Sequence, residues 1–290
     1  MNNKSTFFWS HLKMYEECPQ KFLWTKGWED IDLGNGPGQK KTPSDRVSRH
    51  HAIMGIAIHK AIELFYNDEI WREGKKVSAI LEKIALGEFD KQLGKSFIDL
   101  NSAGMSIEEM KENVSSGIKG FIPTLKQHKL LGKYSKAEQK VLGWIDNYTP
   151  LGGYIDIILR KDEEGVILLD GKNSKAREFA QEDQLIFYAL LFKLSYKTNP
   201  DKLGFIWFRY PYSEETGEQG VTWVEFTDEQ LNQMSERIKK VKHKMYKKKF
   251  EATPSRLACK FCEYTSACQE RKDELEVKEI SGKGFSDFSL

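Results

Sequence analysis

Two aspartates and a lysine interrupt aliphatic runs. Asp156 stands inside Gly-Tyr-Ile-Asp-Ile-Ile-Leu, and Asp170 and Lys172 follow Val-Ile-Leu-Leu. A carboxylate in such a run lies beside a buried sheet. Desolvating a lone charge there is costly unless it is paired or holds a cation. Asp170 and Lys172 are two residues apart on a predicted strand, so they share a face. If the strands of Asp156 and Asp170 form a hairpin, the two carboxylates come close. They make a poor ion pair but a good site for magnesium or manganese. Hydrolysis of a phosphodiester uses such an ion to activate water and neutralise charge. A lysine alongside can position the water or stabilise the phosphorane. Taken alone, an Asp-x-Lys pair at a strand end is more often a surface salt bridge, because short motifs match by chance.

The cysteines are a second candidate. Cys18 stands alone near the start, and Cys259, Cys262 and Cys268 follow as C-x2-C-x5-C. In a cytosolic chain a disulfide framework is not expected. Four thiolates with none to spare are the inventory of a tetrahedral metal site. By itself C-x2-C suits zinc and an iron–sulfur cluster equally.

Three further side chains carry weaker signals. Gln184 and Tyr188 are four apart on a predicted helix and share a face. They suit hydrogen bonding or stacking against a nucleic-acid strand, or a plain helix–sheet contact. His59 lies on an amphipathic helix, where a lone histidine is usually just a satisfied polar residue.

The elements that must position these residues are legible in outline. Residues 5 to 26 read as a helix, with Ser10 as N-cap and a break at Cys18-Pro19. Residues 30 to 48 are rich in Gly, Pro and charge and read as a loop. A helix over 49 to 67 carries an apolar stripe of Ile53, Ile56, Ala57, Ala61, Leu64 and Phe65. Residues 75 to 131 read as helical, with polar breaks near Asn101 to Ser106. Strands follow at 135–146, 152–160 and 165–172, with a hairpin turn at Asp162-Glu163-Glu164-Gly165. Then come a helix over 179–196, strands at 203–210 and 221–226, and a helix over 228–249. The order is β-β-β-α-β-β-α, without internal repeats.

Composition sets the frame. The chain has 290 residues, 39% hydrophobic, and a net charge of +2, so overall charge says nothing about nucleic acid. The run Arg237 to Lys249 is densely basic; it suits a phosphate backbone and equally a solvated helix face. No apolar run spans a bilayer, so no membrane partner is expected. Nothing at the start reads as a signal peptide, and the expected location is cytoplasmic.

Taken in order, Gly-Tyr-Ile-Asp156, Leu-Leu-Asp170-Gly-Lys172 and Gln184-x-x-x-Tyr188 resemble the RecB-like branch of the PD-(D/E)XK nucleases. Met54-Gly55-Ile56-Ala57-Ile58-His59 resembles that branch's histidine-bearing helix. Ser10 to Phe22, with Cys18-Pro19, resembles its N-terminal segment. The cysteine spacing is similar to the iron–sulfur members, namely the CRISPR-adaptation exonucleases and the AddB-type helicase–nuclease subunits. The resemblance covers residues 8 to 268. It implies an α/β fold, a restriction-endonuclease-like core with a central mixed sheet flanked by helices. To that core it adds an inserted helical region (about 49–131) and a four-cysteine metal clasp. One domain over 1–290 is expected, with its catalytic core at about 135–250.

The resemblance also implies roles. Asp156, Asp170, His59 and the Gly171 carbonyl would be metal ligands for Mg2+ or Mn2+. Lys172 would assist the attacking water, Glu138 would add a carboxylate, and Gln184 and Tyr188 would support the substrate or the strands. The cysteines would hold [4Fe–4S], with Zn2+ as the alternative. The implied activity is a DNA exonuclease acting on single-stranded or end-resected DNA, with a helicase or recombination partner. The alternatives are a catalytically inactive nucleic-acid-binding subunit and a zinc-stabilised interaction module. Two departures stand out: Asn173-Ser174 follow the lysine where many members carry threonine, and Gly171 separates acid from lysine.

Overall fold

The computed structural model describes residues 6–27, 41–43, 48–131, 134–174, 177 and 180–270. The expected loop over 30–48 lies almost wholly outside the described residues. The chain divides into two compact units. One joins the chain before Ser48 to the chain from Ile238; the other is the continuous stretch Ser48–Arg237.

The first unit opens with α1 (Trp9–Glu17) and α2 (Pro19–Lys26). They part at Cys18, which is extended, and Pro19 starts the second helix where its missing N–H costs nothing. Ser10 is not the N-cap. Phe8 holds that position without a side-chain cap, because burial of Phe7 and Trp9 fixes where the helix begins.

The second unit begins with α3 (His50–Asn67), α4 (Val77–Leu93), α5 (Leu100–Ala103) and α6 (Ile107–Gln127). The expected helical stretch over 75–131 is thus interrupted at Gly94 as well as at the expected break, where Gly104 ends α5. Ser106 and Glu109 close a capping box at the start of α6. The buried stripe of α3 runs through Ile53, Met54, Ala57, Ile58, Ala61, Ile62 and Phe65. The expected stripe included Ile56, which is instead 46% exposed, so the buried face is rotated by about one residue.

Five strands form one sheet in the order β1 (Tyr134–Trp144), β2 (Pro150–Lys161), β3 (Gly165–Lys172), β4 (Lys202–Trp207), β5 (Val221–Val224). All neighbours are antiparallel except β3 and β4. That parallel pair is joined through α7 (Glu182–Tyr196), as a parallel connection requires. The β2–β3 turn ends at Gly165 with φ +71°. A Cβ there would come 2.0 Å from the Asp201 carboxylate, which accepts from Val166 N at 2.7 Å. Only glycine fits. One sheet face packs Ile157, Leu159, Ile167, Leu169 and Ile206 into a core shared with α3, α4 and α6. On the other side α7 comes close enough that a Cβ on Gly143 would sit 2.8 Å from Leu194 Cβ.

The last described elements are α8 (Asp228–Tyr246) and the short α9 (Arg256–Lys260). In α8, Leu231, Met234, Ile238, Val241 and Met245 are buried at alternating spacings of three and four. Lys240 and Lys244, like Lys247 to Lys249 beyond it, are exposed. Among the described residues no helix is long and apolar enough to cross a membrane.

Candidate functional site

The β1–β2 ladder is irregular at one place. Ala137 pairs with Ile157 and Gln139 with Ile155, but Glu138 between them has φ +50°, a left-handed backbone that costs L-residues energy. Opposite Glu138 lies Asp156. The β2–β3 pairing begins only at Ile157 with Leu169, so Asp156 and Asp170 stand where the two strands part. The edge of β1 next to Glu138 is tied down by α3: Asn67 donates to Ala137 O at 2.9 Å and accepts from Ala137 N at 3.1 Å.

Helix α3 also delivers His59 into this gap. Its Nδ1 lies 3.2 Å from Glu138 Oε1 and 3.5 Å from Asp156 Oδ2, and its Nε2 lies 3.2 Å from Gly171 O. With acceptors on both ring nitrogens, only the imidazolium satisfies every contact. Burial alone would lower the pKa of His59. The charges of Asp156, Glu138 and Asp170 overcome it and raise the value to about 9. Asp156 is pushed up to about 7 by burial and by Asp170, against the pull of His59 and of the Gly171 N–H that it accepts at 2.8 Å.

Asp170 is 1% exposed, and burial raises its pKa while the Lys172 ammonium pulls it down. Lys172 Nζ forms an ion pair with Oδ2, which has no further hydrogen bond. Gln184 on α7 spends its amide on this pair. Its Nε2 donates to Asp170 Oδ1 at 2.9 Å and reaches the Tyr188 hydroxyl at 3.2 Å, while its Oε1 accepts from Lys172 at 3.0 Å. Tyr188 is buried, and burial, with the Asp170 and Asp156 charges, raises its hydroxyl pKa. The structure therefore brings together all eight residues singled out around the carboxylates. Glu138 is a direct neighbour of His59, 3.2 Å from its Nδ1.

Gly171 has a specific reason to be small. A Cβ there would lie 2.7 Å from Phe208 Cζ and 3.2 Å from His59 Cε1. The Asn173 amide, one place after the lysine, has both polar atoms buried and without a hydrogen-bond partner.

One donor atom each from His59, Glu138 and Asp156 lies within 4.8 Å of the others. A nitrogen and carboxylate oxygens suit a hard or borderline divalent ion, and the Asp170 charge acts on both His59 and Asp156. The residues fit such an ion. His59, Glu138 and Asp156 line an open cleft of about 640 Å³ whose walls also carry Ile56, Lys60, Glu63 and Tyr154. Ile56, expected in the buried stripe of its helix, is thus a cleft wall, and Tyr154 stands two residues before Asp156 on the same strand.

In the first unit, Cys18, Cys259, Cys262 and Cys268 line one small pocket with Lys21 and Thr253. None forms a disulfide. Thr265 Oγ1 lies 2.9 and 3.0 Å from the carbonyl oxygens of Cys259 and Cys262, which share its one proton. Thr253 Oγ1 donates to Glu17 O at 2.8 Å. Burial raises the Cys262 thiol pKa, with Cys18 and Cys259 adding to it and Lys21 opposing. Four sulfurs around one pocket are a donor set for a soft metal.

The model of the PD-(D/E)XK nuclease superfamily matches residues 9–269. No curated protein matches. A crystal structure of SSO0001 aligns at 18% identity over 57% of this chain and 78% of that one, with a TM-score of 0.33.

Proposed function

The chain belongs to the PD-(D/E)XK nuclease superfamily, and we propose on that premise that it is a metal-dependent deoxyribonuclease, an exonuclease working on single-stranded or end-resected DNA. The observation that carries the reading is the convergence of His59, Glu138 and Asp156 beside the Asp170–Lys172 ion pair. His59, Glu138, Asp156 and Asp170, with the Gly171 carbonyl, would hold Mg2+ or Mn2+. When bound, the ion lowers the pKa of a water and offsets charge on the scissile phosphate.

The remaining work belongs to the side chains around the cluster. Lys172 is held on one side by Asp170 and on another by Gln184. Its ammonium is thus fixed beside the carboxylates, where it orients the attacking water and stabilises negative charge growing on the phosphoryl oxygens. Gln184 is a positioning residue: it sets the directions of both Asp170 and Lys172. The Tyr188 hydroxyl keeps its proton, since its pKa is raised, and steadies the Gln184 amide. His59 must give up a proton before its ring nitrogen can ligate a metal.

The cysteine pocket has a structural part in this reading. A [4Fe–4S] cluster, as the family resemblance implies, would join Cys18 to the Cys259–Cys268 segment. Zn2+ is the alternative, and a brown protein with stoichiometric iron separates the two.

Cleavage of end-labelled linear single-stranded, linear duplex and closed circular DNA tests the function, with Mn2+, Mg2+ or EDTA and with Asp170→Ala as control. Metal-dependent loss of the linear strand by wild type alone is expected. No cleavage under any metal, or equal cleavage by the variant, would replace the nuclease with a nucleic-acid-binding subunit.

A further inference from the structure

Past Glu138, β1 and β2 continue as a hairpin. On one side, Cβ atoms built on Gly143 and Gly153 would press against Leu194, Leu191 and Tyr188 of α7. The opposite side carries Lys140, Leu142, Trp144 and Tyr154, through the pairs Lys140–Tyr154, Leu142–Gly152 and Trp144–Pro150. Leu142 is 47% exposed, Trp144 44% and Tyr154 49%. Three large apolar side chains on one open face form a patch of the kind that marks a binding surface.

Its position indicates what binds. Tyr154 is the end of the strip nearest the chemistry, because it lines the same cleft as His59, Glu138 and Asp156. Ile56, also exposed, lies on the facing helix in that cleft. The other cleft groups include Glu63, which Lys60 pairs with at 2.8 Å, and Glu88, held by Lys91 and Gln92. These groups are already satisfied, so the exposed rings are the part of this wall left to meet a base. Four residues of strand extend about 13 Å, roughly the length of four stacked bases.

We propose that this face of the β1–β2 hairpin is a stacking platform for the unpaired bases of the strand whose phosphate lies at the carboxylate cluster. The inference rests on the nuclease reading and deepens it. Trp144 and Tyr154 supply ring faces, Leu142 fills between them, and Lys140 offers a cation to the adjoining phosphate. A duplex keeps its bases stacked on one another and cannot use such a platform, so it selects single strands and frayed ends.

The test uses oligonucleotides carrying one 2-aminopurine at successive positions, bound to full-length protein in the Asp170→Ala background so that the strand survives. Trp144→Ala and Tyr154→Ala should each weaken single-strand binding about tenfold and abolish the 2-aminopurine signal at one position. Trp144→Phe and Tyr154→Phe should restore most of both, with duplex binding and thermal stability unmoved. Unchanged single-strand affinity in the double alanine variant overturns the platform. So does loss of a wild-type dimer in that variant with DNA binding intact, which makes the strip a contact between copies. If wild type cleaves while the ring variants bind normally, the platform fails and the nuclease stands. If ring-dependent binding occurs without cleavage by wild type, the platform stands and hydrolysis fails.

Discussion

Metal binding to the carboxylate cluster should expel protons, those of His59 and Asp156 first among them. Without metal, His59 carries a proton with a pKa of about 9 and Asp156 titrates at about 7. A divalent ion ligated by the ring nitrogen and the carboxylates cannot share the site with either proton. At pH 8 His59 is nearly all imidazolium and Asp156 nearly all carboxylate, so binding should release about one proton. At pH 6 both are protonated, and at least two should leave, with Asp170, whose pKa burial also raises, adding to the count. Affinity for Mn2+ therefore rises with pH, by about tenfold per unit between pH 7 and 9 and more steeply below. The assay is titration calorimetry in two buffers of different ionisation enthalpy, whose difference in heat counts protons directly. His59→Asn should remove the break near pH 9 and leave release from carboxylates alone. Heat independent of buffer at pH 8 would show that His59 keeps its proton, and would refute its place among the ligands.

Three other perturbations have definite expected outcomes. Gln184→Ala frees both Asp170 and Lys172 and should lower kcat about 10–100-fold, as loss of an orienting partner does, with KM nearly unchanged in steady-state cleavage. Gly171→Ala places a methyl against Phe208 and His59 and should cost about 1–3 kcal/mol in denaturant unfolding, the usual penalty for overpacking; an unchanged midpoint would contradict the close approach. Cys262→Ala should lower Tm before it changes the chemistry, because a metal held by the cysteines would contribute folding free energy. Differential scanning calorimetry beside cleavage rates checks the order, and intact thermal stability would deny the clasp.

The strand and helix order from Tyr134 to Tyr246 was legible because the aliphatic runs and turn residues there agree with the fold. The same runs exposed Asp156, Asp170 and Lys172, since a charge inside an apolar strand is conspicuous. His59 was reachable only through resemblance: one histidine on an amphipathic helix carries no local signal. Periodicity misplaced Ile56 by one position, because it cannot tell which side of a helix meets the sheet when apolar residues exceed those a single face can hold. Glu138 was ambiguous for a different reason. Its neighbours Gln139 and Lys140 read as an alternating strand, and nothing in residue types announces a left-handed backbone at a glutamate. The cleft walls depend on where α3 and α4 fall beside β1 and β2, which no linear pattern records.

That backbone at Glu138 places selection for durability and selection for activity in opposition. A glutamate at φ +50° is less comfortable than glycine by about 1–2 kcal/mol. A search for heat-resistant variants that watches only the melting curve should therefore be drawn to glycine or asparagine at 138. The substitution would relieve local strain and thin out the crowd of carboxylates around His59 and Asp156. It would also delete one donor from the only His/Glu/Asp triad of this kind among the described residues. A sturdier protein obtained that way would be a poorer catalyst, and the strain reads as the structural cost of keeping a carboxylate aimed at the gap.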